Sequence, residues 1–253
     1  MTTPFLALLA VLASTTLLWL LSLKLRDAGI IDIFWAPGFF LVAVVTALGE
    51  PTLSLRTIMI LSFAGLWAVR LGTHLFRRWR GFTHEDRRYT AMREGGGFWW
   101  KSLLRVFWLQ AVILWIVSWP LQAAIARGNL PLGPLDIVGG LVALTGITME
   151  AMADRQLARF TADPASHGKV LDSGIWSWSR HPNYFGNATM WWGFYLIALS
   201  AGAWWTIFAP MLMTFFLLKV SGVALLEQDI AERRPGYAEY IRKTSAFIPW
   251  PPK

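Results

Sequence analysis

The fold of this chain is decided by the stretch Arg180–Asn187, which reads RHPNYFGN, and by the run ATMWWGF that follows at residues 188–194. The first stretch places a guanidinium, an imidazole, an amide and a phenol within eight residues. The second is apolar enough to enter a bilayer. Polar groups at the mouth of a membrane helix are costly unless a ligand or an internal partner uses them. The pattern predicts a functional site there; the alternative is an interfacial loop whose polar groups face water.

The composition is typical of a membrane protein with several spans. The 253 residues are 55% hydrophobic, with 16 Trp and 16 Phe and a mean hydropathy of +0.46. Cysteine is absent, which excludes disulfides, a thiolate nucleophile and cysteine-based metal sites. His74, His84 and His167 lack ligand partners at metal spacing, so we expect no metal site.

Seven apolar stretches approach the roughly 20 residues that a helix needs to cross a bilayer. We therefore predict an all-α fold in which residues 1–253 form one domain, a single bundle of about seven transmembrane helices. The first stretch lacks the basic start and the small-residue exit of a signal peptide, so we interpret it as a retained helix. The predicted spans are Pro4–Leu23, Gly29–Leu48, Leu53–Leu71, Val106–Ala126, Leu135–Ala153, Tyr184–Ser200 and Ala203–Leu226.

The basic residues predict the orientation of the chain in the membrane. The formal net charge is +8, and 19 of the 23 Lys and Arg fall on alternate connections between the predicted spans. Because cytoplasmic loops carry the excess of cations, we expect the N-terminus outside and the C-terminus in the cytoplasm, in a bacterial inner membrane. The cations are interleaved with apolar spans, which favours the lipid bilayer over nucleic acid as the partner. No oligomeric state is indicated.

Two carboxylates, Glu150 and Asp154, lie four residues apart and so share one helix face. Glu150 is the deeper of the two, and burial there favours the protonated form that suits a proton donor. Asp154 lies one turn nearer the cytoplasm and is suited to accept hydrogen bonds from a ribose or an arginine. The alternative is that the pair only neutralises Arg70 or Lys219 within the bundle.

Asp32 lies a few residues inside the second predicted span, which is too deep for contact with lipid. It is either a pocket residue or a partner for Arg70 or Lys219. Asp32 and Glu150 are the two candidate catalytic acids.

A cluster of cations follows the third predicted span. Several arginines with a tyrosine suit the phosphates of a dinucleotide, although a basic patch beside a membrane also attracts anionic lipid head groups. Neither a GxGxxG pattern nor a Walker sequence occurs, and Gly95–Gly97 is interpreted as a flexible turn, so any nucleotide binds between helix ends and loops. The candidates are Arg70, Arg77, Arg87, Arg88 and Tyr89.

Four elements together resemble a known family. They are RHPNYFG at residues 180–186, Asp154-x-Gln156-Leu, the tail RPGYAEY at residues 234–240, and TSAFIPW at residues 244–250. Their combination resembles the DUF1295 family of the steroid 5-alpha-reductase-like membrane superfamily, over about residues 32–250. The RHPxY element alone is also similar to that of isoprenylcysteine carboxyl methyltransferases and sterol reductases.

The resemblance implies a seven-helix fold that binds NADPH from the cytoplasm, with the nicotinamide reaching a membrane-open cavity near Glu150. The residues it implies for the cofactor are the Arg70–Tyr89 region, Asp154, Arg180, His181, Asn183, Tyr184, Tyr237 and Tyr240.

The chain departs from the 5-alpha-reductases where those enzymes orient the substrate ketone. Phe34 and Trp35 occupy the places of a Gln-Glu pair, and Trp67 that of a tyrosine. Asn187 stands where relatives often have glutamate. The resemblance therefore supports the cofactor-binding residues better than the substrate-binding residues. It does not imply a steroid substrate.

Three classes of function follow. The first is reduction by NADPH of a C=C bond in a lipophilic, steroid- or isoprenoid-like enone, with Glu150 or Asp32 as the acid. The second is a methyltransferase that uses S-adenosylmethionine, held by a cage of Glu227, Tyr237 and Tyr240. The third is a non-catalytic lipid-binding protein with a basic cytoplasmic face.

Overall fold

A computed structural model describes residues 2–81, 85, 87–220, 223, 227, 234 and 236–252. The side chains of Arg87, Arg88 and Ala91 also fall outside the description. The predicted roles of Arg87 and Arg88 therefore concern side chains outside the described residues.

The described residues form helices and no strand. The α-helices are α1 (Thr3–Leu25), α2 (Ile30–Leu48), α3 (Leu55–Arg80), α4 (Arg87–Glu94), α5 (Phe98–Ser102), α6 (Leu109–Val117), α7 (Trp119–Ala126), α8 (Pro134–Ala162), α9 (Pro182–Ser200), α10 (Phe208–Phe215) and α11 (Tyr237–Lys243). Leu103–Trp108 and Phe216–Val220 are π-helical, and Pro164–Ser166, Gly174–Ser177 and Trp204–Ile207 are short 3₁₀ turns.

Five helical segments of the described chain are long and apolar enough to cross a membrane. The length and composition of these segments fit an integral membrane protein. They are Thr3–Leu25, Ile30–Leu48, Leu55–Arg80, Phe98–Val117 and Pro134–Ala162.

The remaining predicted spans differ from the helices observed. The fourth span runs from Phe98 to Val117 rather than from Val106 to Ala126, because the helix breaks at Ser118, before Pro120 in the first turn of α7. The sixth corresponds to α9, which is outside these five segments and carries two asparagines and a glycine in its first half. The seventh corresponds to a shorter apolar segment, Trp204–Val220. The count of seven spans therefore stays a prediction.

The chain packs as two compact units. The first comprises Met1–Asp136 with Ala198–Thr206, and the second Ile137–Ile197 with Ile207–Lys253. The single domain of residues 1–253 stays a prediction. In the first unit α2 packs between α1 and α3, and Phe39 lies fully buried at its centre.

A buried ion pair joins separate segments of the first unit. Arg56, which is 1% exposed, donates from Nε and Nη2 to the two carboxylate oxygens of Asp136 at 2.8 and 2.9 Å. Its other N–H groups donate to the carbonyls of Arg127, Leu130 and Pro131. Since Asp136 also accepts from Gly133 N and Ser200 Oγ, both charges are satisfied inside the protein.

In the second unit the backbones of α8 and α9 touch through glycines. A Cβ added at Gly146 would lie 2.4 Å from Met190 N, and one at Gly186 would lie 2.6 Å from Glu150 N. Gly139 and Gly193, seven residues away on each helix, make the same kind of contact. Small residues allow membrane helices to approach this closely. The register is antiparallel and brings Glu150 beside the first turns of α9.

Replacing Gly146 with alanine is expected to lower the free energy of unfolding by about 1–3 kcal/mol, the usual cost of overpacking. The reason is that the new methyl group would meet backbone atoms, which cannot rotate away. Thermal unfolding in detergent measures the change. Gly95→Ala is the matched control because its Cβ would lie 3.7 Å from its nearest neighbour, Met92 O. Equal stability of the two variants would contradict the close helix contact.

Candidate active site

Two carboxyl–amide pairs form a ladder between α8 and α9. Asn187 Nδ2 donates to Glu150 Oε1 at 3.1 Å, and Asn183 Nδ2 donates to Asp154 Oδ1 at 3.2 Å. Each pair uses positions four residues apart, and the antiparallel register matches the deeper carboxyl to the deeper amide. All of these side chains except Asn183 are more than 90% buried. The structure thus brings together three of the candidate residues, Glu150, Asp154 and Asn183.

The side-chain amide of Asn187 has a hydrogen-bond acceptor, Oδ1, that no described residue uses. Its Oδ1 is buried and makes no hydrogen bond within the described residues. Such an orphaned acceptor normally costs about 1–3 kcal/mol. By turning 180° about its last side-chain bond, the amide can instead present Oδ1 to Glu150 and accept a hydrogen bond from the O–H of the protonated carboxyl group. Asn187 can therefore bind Glu150 in both its charged and its neutral form. In the first case Oδ1 is left for a ligand, and in the second case Nδ2 is left.

A second network surrounds Arg180, immediately before α9. The guanidinium donates from Nε and Nη2 to both oxygens of Glu227, at 2.7 and 3.0 Å. Nη1 donates to the carbonyls of Ile241 and Thr244. Four of the five N–H groups of Arg180 are used in this way. Arg180 therefore holds the C-terminal segment, residues 241–250, against the turn that precedes α9.

Glu227 is the centre of this network. His181 Nε2 lies 3.0 Å from Glu227 Oε1, and Tyr237 Oη lies 3.5 Å from the same oxygen. The imidazole of His181 is also stacked on the ring of Tyr184, with centroids 5.6 Å apart. Burial alone would raise the pKa of Glu227, but the hydrogen bonds from Arg180 and His181 outweigh it and hold that pKa below its ordinary value.

Burial and the neighbouring charges also shift the pKa values of the other ionisable groups in this network. Burial alone would lower the pKa of Arg180, but its bonds to Glu227 raise it above the ordinary value. Burial lowers the pKa of His181, against the opposing effect of Glu227. Burial and the charge of Glu227 raise the pKa of Tyr237 to about 12, and burial also raises that of Tyr240. The network is therefore a charged Arg180–Glu227 pair beside a neutral imidazole and neutral phenols.

The C-terminal segment completes this region. Tyr240 Oη donates to the carbonyl of Trp176, and Ser179 Oγ donates to that of Phe247. Backbone bonds run from Arg180 N to Ser245 O and from Trp250 N to Trp178 O. Tyr237 and Tyr240, both 6% exposed, thus face the protein interior.

Stability is expected to fall as the pH drops from about 7.5 to 5.5. The pKa of His181 is lowered in the folded state, so below its ordinary value of 6.5 the unfolded chain gains a proton that the folded chain resists. The matching loss from Glu227 comes only as the pH falls below its ordinary value of 4.5. Thermal unfolding of His181→Gln should show a flatter pH dependence above pH 5.5. His167→Gln, which alters an exposed histidine, should keep the slope, and two equal slopes would contradict the assignment.

The candidate residues of the first unit lie in different environments. Asp32 is half-buried in the first turn of α2. Arg70 is half-buried within α3, whereas Arg77 is exposed near the end of the same helix. Tyr89, 6% exposed, packs in a cluster with Ala28, Ile31, Phe98, Val106 and Phe107. Tyr89 therefore anchors α4, and of the two candidate cations Arg70 and Arg77, Arg77 is the exposed one.

Sequence reasoning gave two groups of residues too little weight. Glu227 was considered only for an S-adenosylmethionine cage; the signal for its observed place was the need of buried Arg180 and His181 for an anion. Arg155 and Arg159 are two of the 19 cations that predict the orientation, and both are exposed on the last turns of α8, which follow Asp154. A cation spacing of four residues beside a candidate ribose ligand was the available signal.

These features define an all-helical membrane protein with a buried carboxyl–amide site at one helix pair. Residues 18–244 match the family model described as protein of unknown function (DUF1295). The chain belongs to the DUF1295 family, as its motifs predicted. It is 27% identical over 263 residues to an uncharacterized protein of Schizosaccharomyces pombe, an alignment that covers 92% of this chain and 75% of that protein. No solved structure matches.

Proposed function

We propose that this protein is a membrane oxidoreductase that uses NADPH to reduce a C=C bond conjugated to a carbonyl in a lipophilic molecule. One observation carries the proposal: Glu150, 5% exposed, contacts an asparagine whose Oδ1 has no partner among the described residues. A buried acid beside an amide oxygen that no described residue binds is an arrangement that suits a proton donor and a polar ligand. The resemblance to 5-alpha-reductase-like enzymes supports the same chemistry.

The residues of the second unit fit such a cofactor by their donor and acceptor groups. The oxygens of Asp154 and Asn187 are suited to accept from ribose hydroxyls or a carboxamide. Arg155 and Arg159 are suited to phosphates because both are exposed, Arg155 directly after Asp154 and Arg159 one helical turn further along α8. Arg180 supports the site by holding residues 241–244 through their carbonyls, and it shares Glu227 with His181 and Tyr237. We place this cationic helix end in the cytoplasm, where the nucleotide is available.

When bound, NADPH supplies the hydride that the β-carbon of the enone gains. Glu150 in its acid form gives its proton to the enolate, so the C=C bond takes up one hydride and one proton. The carboxylate left behind is stabilised by Asn187 Nδ2, because the amide can turn to donate. Asp32 is the second candidate acid.

The test measures NADPH binding to the purified protein by thermal stabilisation and by equilibrium titration. NADPH should raise Tm, and Asp154→Ala and Arg155→Ala should each weaken binding by about tenfold, the loss of one good hydrogen bond or ion contact. Arg242→Ala, which removes an exposed cation of α11, is the matched control. An absence of stabilisation by NADPH would refute the proposal.

The same titration separates the two other classes of function. Stabilisation by S-adenosylmethionine alone would favour a methyltransferase, although Arg180 already neutralises the carboxylate of Glu227 that a sulfonium cage would need. Stabilisation by anionic lipid alone would favour a non-catalytic lipid-binding protein.

A further inference from the structure

A small recess lies among α1, α2 and α6 in the first unit, away from the carboxyl–amide ladder in sequence. Its walls are mainly apolar and include Phe34, Ala111 and Leu114, with Thr15 on α1. Trp35 and Gln110 also line it. None of the lining side chains is ionisable, so the recess is not built for a charged group.

Gln110 is the unusual member of this lining. It lies in the membrane-spanning segment Phe98–Val117 and is half-buried. Its Oε1 accepts a hydrogen bond from Trp35 Nε1 at 2.6 Å. Within the described residues its Nε2 makes no hydrogen bond to the protein. A primary amide in the hydrocarbon region is costly unless its donors are used.

The bond from Trp35 determines which end of the amide faces a ligand. Since an indole N–H can only donate, it requires the Gln110 oxygen and not the nitrogen. The two Nε2 protons are then the groups left for another molecule. The complement of such a site is a hydrogen-bond acceptor at the end of an apolar body.

We infer that Gln110 donates from Nε2 to the carbonyl oxygen of a lipophilic ligand, and that Trp35 is the positioning residue that keeps the amide in this orientation. This ligand site lies within the first unit. The small recess holds only the oxygen-bearing end of the ligand.

Side-chain NMR tests the contact directly. The chain has four glutamines, at positions 110, 122, 156 and 228, so selective ¹⁵N-glutamine labelling gives a spectrum that Gln110→Leu assigns. The probes are β-ionone, an isoprenoid enone, and its hydrocarbon analogue without the carbonyl. The enone should shift the Gln110 amide protons downfield, and the hydrocarbon should not. Equal shifts with both probes, as expected if the amide meets only water, would overturn the inference.

Binding constants provide the second measurement. Wild type should bind the enone about tenfold more tightly than the hydrocarbon, the value of one buried hydrogen bond. Gln110→Leu and Gln110→Glu should lose this preference, and Trp35→Phe should reduce it while Gln110 is still present. Gln122→Leu is the matched control because Gln122 also lies within the first unit but does not line the recess.

The experiment contains no NADPH, so its failure is distinguishable from failure of the proposed reaction. A protein that binds NADPH but shows no enone preference would refute the role of Gln110 alone. A shifted Gln110 amide in a protein that does not bind NADPH would support the ligand site and refute the reductase.

Discussion

Replacing Arg56 with leucine is expected to lower the free energy of unfolding by about 3–5 kcal/mol, the usual cost of breaking a buried ion pair from one side. The substitution leaves the carboxylate of Asp136, which is 1% exposed, without its cation. It also removes the hydrogen bonds that Arg56 donates to the carbonyls of residues 127, 130 and 131. Asp136 keeps the hydrogen bonds from Gly133 N and Ser200 Oγ but loses its countercharge while buried, and the three carbonyls lose the guanidinium as donor.

The measurement is equilibrium unfolding in mixed micelles, with the free energy extrapolated to zero denaturant. Arg105→Leu, which removes an exposed arginine, is the matched control and should change stability by less than about 0.5 kcal/mol. The double variant Arg56→Leu/Asp136→Leu should recover much of the loss because no isolated charge remains. If the double variant were as unstable as the sum of the two single variants, the loss would come from packing and not from charge.

Replacing Glu150 with glutamine is expected to lower kcat for enone reduction by about 100- to 10,000-fold, the range for loss of a general acid. Glutamine keeps the shape of the side chain and an oxygen that can accept from Asn187 Nδ2, so the fold and NADPH binding should be retained. The change is therefore confined to the proton that the carboxyl group supplies.

Asp154→Asn is the matched control, because it makes the same chemical change one helical turn away. It should affect the affinity for NADPH more than kcat, and the two variants together separate proton donation from cofactor binding. If Glu150→Gln kept full turnover and Asp32→Asn abolished it, Asp32 would be the acid. If both kept full turnover, neither carboxyl group would be the proton donor.

Local spacing predicted the parts of this site that depend on one helix at a time. The positions of Glu150 and Asp154 on one face follow from their separation by four residues, and the polar start of α9 follows from the sequence RHPNYFGN. The pairing of these carboxyls with Asn187 and Asn183 could not be predicted, because the register depends on backbone contacts at Gly146 and Gly186.

Contacts between distant segments account for most of what the sequence did not indicate. The pairing of Arg180 with Glu227 spans 47 residues, and that of Arg56 with Asp136 spans 80. A charge pattern shows that each cation needs an anion but does not say which one. Likewise, nothing in the sequence indicates that Trp35 Nε1 and Gln110 Oε1 lie 2.6 Å apart.

The docking of residues 241–250 onto residues 176–180 governs when the second unit can finish folding during synthesis. Ser179 and Arg180 leave the ribosome more than 60 residues before the carbonyls that they bind. Until then their donors must be met by water or by the translocation machinery. A nascent chain that stops short of residue 241 therefore already has Glu227 to pair with Arg180, but it lacks the carbonyls that Arg180 Nη1 and Ser179 Oγ bind, and its second unit is incomplete.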